Sequence, residues 1–142
     1  MIRGKKKKNE QRRPHPKHPN RRKYQRQALD FVQTLLNADI ERIALENPVG
    51  VISTKIKKPT QIIQPYDFGH STSKKTCLWL KGLPELKATN IVDPEWVYLP
   101  NNTRMSKFHH ETFSLPKEER SKIRSETFLG VAKAMANQWG KF

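Results

Sequence analysis

Residues 42–50 read RIALENPVG. Ile43, Ala44 and Leu45 run without polar alternation, the pattern of a strand buried on both faces as in a parallel sheet. The run ends in Glu46 and Asn47, and Pro48 with Gly50 forbids continuation as helix. In open α/β sheets, ligands bind outside the carboxyl ends of strands. A carboxyl beside a carboxamide at such an exit matches the edge of a nucleobase, the acid pairing with a ring nitrogen and an exocyclic amine. The same residues also make an ordinary polar turn after a core strand. The tripeptide alone leaves both readings open.

Outward from this stretch the elements alternate. Upstream, RRKYQRQALDFVQTLLNADIE (21–41) repeats Tyr24, Ala28, Phe31, Val32, Leu35 and Leu36 at steps of three and four, an amphipathic helix with its basic end leading. Basic residues at a helix start oppose the macrodipole, so Arg21 and Arg22 are expected to serve something outside the helix. Downstream, TQIIQPYDFG (60–69) reads as a short extended segment and KTCLWL (75–80) as a second strand, ended by Gly82 and Pro84. Residues 84–113 read as loop, with Trp96 to Leu99 anchoring it. The charged LPKEERSKIRSE (115–126) reads as a solvated face on which Lys122 and Arg124 are candidates for phosphate contact. The last stretch, from Ser125 as N-cap through Trp139, reads as a helix stopped by Gly140. The expected class is α/β, with too few elements to cover a parallel sheet on both faces.

The chain has 142 residues, enough for one modest domain, and a formal charge of +15 from 28 Lys/Arg against 13 Asp/Glu. Residues 1–28 hold 12 of the basic residues and one acid, so the excess sits at the N-terminus. Residues 1–20 have four consecutive lysines, three prolines and little to bury, and are expected to be a disordered arm ahead of a domain over 21–142. Lys5, Lys6, Lys7, Lys8, Arg12 and Arg13 make that arm a candidate binder of polyanions, nucleic acid first. One cysteine excludes an internal disulfide and fits a reducing compartment. No apolar run approaches the roughly 20 residues of a membrane span, and no signal-like segment leads the chain, so the expectation is cytoplasmic, with no membrane partner. His15, His18, His109 and His110 with a single cysteine do not make a zinc set.

Beside Glu46-Asn47-Pro48, the stretch FGHSTSKKTCLWL (68–80) places a glycine, a polar loop and Lys74-Lys75 before a strand. Together they resemble the C5-cytosine DNA methyltransferase family in the diverged form carried by phages, over about residues 28–140. The family has a strand ending in Glu-Asn-Val, then Gly-x-Pro-Gln-x-Arg-x-Arg leading into a strand, then a Thr-containing turn and small-residue helix, here from Thr127 through Gly130 to Ala132. The resemblance implies a partial Rossmann-like methyltransferase sheet flanked by helices. It implies that Glu46, with Asn47, faces the target base, that Lys74, with Lys75, contacts DNA, and that Thr127 and Gly130 wall an S-adenosylmethionine site. If phage-encoded, the protein would act inside a bacterial host cell.

The departures are as informative. No glycine-rich cofactor turn and no Pro-Cys nucleophile precedes Glu46, and Cys77, the only thiol, lies inside a strand, where it reads as structural. Lysine at 74 keeps charge but loses the bidentate fork of arginine. The expectation is a DNA-binding, methyltransferase-like chain, inactive alone, that needs S-adenosylmethionine only if a partner supplies the catalytic half. The alternative is a protein-interaction module that inhibits a host protein, joins a separate catalytic half or forms a homodimer.

Overall fold

The computed structural model describes residues 14–142. Lys5, Lys6, Lys7, Lys8, Arg12 and Arg13, and most of the expected arm, lie outside the described residues. The chain divides into two compact units after Asn37.

In the first unit, residues 14–20 are not featureless. His15 and His18 pair in an isolated bridge with His18 N donating to His15 O at 3.0 Å, and the turn feeds α1 (Arg21–Leu36). Asn20 caps the helix without a side-chain hydrogen bond, and at the other end Asn37 N donates to Gln33 O. No residue of α1 is fully buried, and Tyr24 and Phe31 are both 63 % exposed.

The second unit, Ala38–Phe142, is mixed α/β with two small antiparallel sheets. The first contains β1 (Ile43–Pro48), β2 (Gln61–Ile63) and β3 (Thr76–Lys81) in the order β1-β3-β2. A short helical turn, α2 (Ile52–Lys55), lies between β1 and β2, and a 3-10 turn (Pro65–Asp67) follows β2. Both β1 and β2 pair antiparallel with β3. The parallel ladder expected of a Rossmann-like sheet is therefore not among the described strands, because β3 inserts between its two predecessors and runs against both.

The central strand is buried from Thr76 to Trp79, and Leu78 has no exposed surface. Alternation along β3 sends Leu78 and Leu80 to one face and Cys77 and Trp79 to the other. On the first face, Leu78 and Ile63 pack with Phe68, Leu86 and the Val131 and Ala134 of α5 (Leu129–Trp139). Residues 52–57 cover the second face: Trp79 Nε1 donates to Lys57 O at 2.7 Å, and Ile52 is buried there. Burying a side chain such as Leu78 contributes about 1.5–3 kcal/mol.

β1 corrects the expectation of a strand buried on both faces. As an edge strand it alternates, with Ile43, Leu45 and Asn47 half-buried and Ala44, Glu46 and Pro48 exposed. β3 ends at Gly82, which needs its φ of +62° and stands where a Cβ would come within 2.3 Å of Glu41 O.

Residues 84–113, expected as loop, contain a hairpin and a helix. β4 (Trp96–Tyr98) pairs with β5 (Arg104–Ser106), closed by Leu99 N donating to Thr103 O and by Asn102 at φ 59°. The Arg104 guanidinium sits 4.2 Å over the Trp96 ring. α3 (Lys107–Phe113) follows directly, then α4 (Lys117–Ser125). α4 has Glu118 and Glu119 in its first turn and Lys122 and Arg124 in its last, both matched to the helix dipole. Ser125 therefore closes α4 rather than capping the terminal helix, its Oγ donating to Lys122 O, and Phe128 is the N-cap residue of α5. Among the described residues no helix is long and apolar enough to cross a membrane.

Candidate functional site

Glu46 stands opposite Leu78 in the ladder, so its side chain shares the sheet face on which α5 packs. Because β1 is the edge strand, that carboxyl stays exposed. Asn47 turns to the other face, opposite Cys77, and its Nδ2 donates to Pro48 O at 3.2 Å. Lys74 arrives from the connection that precedes β3. Its backbone N donates to Gln64 Oε1 at 2.9 Å, which fixes the loop, and its Nζ donates to Arg124 O at 2.5 Å.

Glu46, Asn47, Pro48 and Lys74 thus line one wall of a cleft of about 460 Å³. Lys117, Arg120, Ser121, Arg124 and Ser125 of α4 line the other. Burial depresses the Lys74 ammonium below the usual lysine range; the Glu46 charge pulls the other way, and Arg124 adds to the depression. Lys74 Nζ also lies 5.6 Å from the Phe128 ring centroid. The cleft carries four cations against one carboxylate, Glu46.

A smaller cavity of about 20 Å³ also touches Glu46 and Lys74, and Thr127 and Phe128 line it. The structure therefore brings Glu46, Asn47, Lys74 and Thr127 into one neighbourhood. Gly130 has another role. Its N donates to His70 Nε2 at 2.9 Å, and a Cβ would fall 1.9 Å from Phe68 O, so the glycine lets α5 approach the turn after β2. Small-molecule pockets measure roughly 300–1,000 Å³. The corner of Thr127 and Gly130 alone does not enclose a cofactor the size of S-adenosylmethionine.

Lys75 is exposed and lines neither cavity. Arg21 and Arg22 are exposed on the first turn of α1; Arg21, with Lys17, His18 and Tyr24, lines an open pocket of about 570 Å³ within the first unit. Cys77 points away from Glu46 across the sheet. Burial holds its thiol above the usual range, opposed by a Ser53 hydrogen bond and reinforced by the Glu46 charge. No three His, Cys, Asp or Glu side chains converge among the described residues.

Sequence reasoning missed Lys117, Arg120 and Ser121. Their signal is spacing: 117, 120 and 124 fall on one helix face, with Ser121 and Ser125 beside them. Lys122 is not among the cleft residues. Comparisons with protein-family models, with curated proteins and with solved structures find no match to this chain.

Proposed function

We propose that this chain is a nucleic-acid-binding protein on a methyltransferase-like plan that does not transfer methyl groups by itself. One observation carries the reading: Glu46 and Lys74, 28 positions apart, line one cleft whose other charged groups, Lys117, Arg120 and Arg124, are all cationic. An acid within a positive cleft is a poor design for a purely electrostatic clamp and a good one for holding a base edge beside a charged backbone. Covalent methyl transfer requires an activated nucleophile, and Cys77 is buried on the opposite face.

The test is equilibrium binding of fluorescent single-stranded and duplex DNA to the purified chain over a salt series. Affinity falling steeply with salt is expected. Failure to bind either form at low salt overturns the reading. Transfer of a labelled methyl group from S-adenosylmethionine to DNA by the pure chain would overturn its second half.

A second reading, a protein-interaction module, is favoured by the sheet edges. β1 and β2 each have one unpaired side within the sheet, and Ile62 on β2 is 52 % exposed. A concentration-dependent dimer in sedimentation, unaffected by salt, would favour it.

A further inference from the structure

We propose that α4 is a rail for the sugar–phosphate backbone, with Lys117, Arg120 and Arg124 contacting consecutive phosphodiester groups of a bound strand. The inference rests on the nucleic-acid reading above and assigns the backbone to one wall of the cleft, which leaves Glu46 for the base.

Three observations carry it. The first is spacing. Lys117, Arg120 and Arg124 span two helical turns, about 10 Å at 1.5 Å per residue, which is about three nucleotides at 3.4 Å per strand. The second is preorganisation. Arg120 Nη1 donates to Phe113 O at 2.9 Å, while Arg124 gives Nη2 to His109 O at 3.0 Å and Nε to Thr112 Oγ1 at 2.8 Å. Both guanidiniums are thus pinned to the C-terminal end of α3, yet Arg120 commits one of its five donors and Arg124 two. The donors left over are held in a fixed plane, so binding orders little that is not already ordered. The third is what the arginines lack. Among the described residues no carboxylate lies within ion-pair distance of either, and Glu118 and Glu119 of the same helix are not in the cleft. A merely structural arginine needs no such surplus facing a cleft that also presents the hydroxyls of Ser121 and Ser125.

The experiment compares the full chain with Lys117→Gln, with Lys117→Gln/Arg120→Gln, and with Lys122→Gln, which removes one charge from the same helix outside the cleft and so matches the single variant. Each is titrated against a fluorescent single-stranded oligonucleotide and its duplex over a range of NaCl. Each lost phosphate contact lowers the salt slope by roughly 0.7–0.9. The double variant is therefore expected to lose between one and two units of slope and at least tenfold in affinity at low salt, and Lys122→Gln neither. If the double variant unfolds by circular dichroism, Lys117→Gln alone, on the exposed first turn, must still lose close to one unit. Unchanged slope in the variants with normal wild-type binding overturns the rail and leaves the nucleic-acid reading standing. A wild-type chain that binds neither oligonucleotide overturns both.

Discussion

At the scale of single residues, Gly130 and His109 make opposite demands on the chain. Gly130 is fixed by contact: a Cβ there meets Phe68 O at 1.9 Å, so Gly130→Ala must push α5 from the turn that follows β2. Overpacking of this kind costs about 1–3 kcal/mol or more, and thermal unfolding should show a lowered Tm. His109 is governed by charge. Burial holds its imidazole below the ordinary range, and Arg124 and then Arg120 add their positive potential. A depressed folded value means the unfolded chain takes up the proton first. This contribution to stability is complete above about pH 6.5 and is lost as pH falls toward the folded value. The His109 ring resonances in NMR should therefore titrate below those of an unfolded control. Added oligonucleotide should raise the midpoint, since a phosphate beside Arg120 and Arg124 cancels part of their field; an unmoved midpoint with saturated binding would count against phosphate at that end of α4.

At the scale of elements, β3 holds the second unit together. Its side chains supply both faces, and Leu78 meets residues from α5, from β2 and from the loop bearing Leu86. Leu78→Ala should cost about 3–5 kcal/mol in denaturant unfolding, because so enclosed a site has little freedom to collapse. The strand core of TCLWL was legible in the sequence, as were α1 and most of α5, because each carries a long apolar period. The edge position of β1 was not. IAL looks the same whether a strand is flanked on two sides or one, and pairing direction leaves no mark on periodicity. The β4–β5 hairpin was hidden for a different reason: three-residue strands are too short to show alternation. α4 is the solvated face its composition suggests, six of its nine residues being Lys, Arg or Glu and none of the nine buried; its helical order is what the composition hid. Its charges are arranged for the helix dipole and for one face, and that order only becomes visible once it is treated as a helix.

At the scale of the whole molecule, the basic excess divides between two sources. Residues 1–20 carry eight Lys/Arg and one acid, whereas the cleft brings four cations together from distant parts of the second unit. Removing residues 1–20 should lower the salt slope by several units while leaving any preference among bases intact, because phosphate contacts position a ligand and base contacts specify it. Anisotropy titrations of the shortened chain on oligonucleotides of different base composition check this; loss of preference along with slope would move the specificity into the arm. The stretches around Glu46 and Lys74 single those two residues out in the sequence; the α4 wall lies outside both stretches and is visible only in the fold.

The sheet ends at β1 on one side, and this shapes how the protein behaves in company. Along a strand of six residues, about 20 Å, one flank lies outside the ladder. Glu46 and Pro48, which has no amide N–H, guard only its C-terminal half, so a neighbouring extended chain can follow the flank along Ile43–Leu45. Crowding the protein should make an intermolecular amide-I band grow in the infrared while the helical signal holds steady, the molecules gathered in this way joining edge to edge through β1.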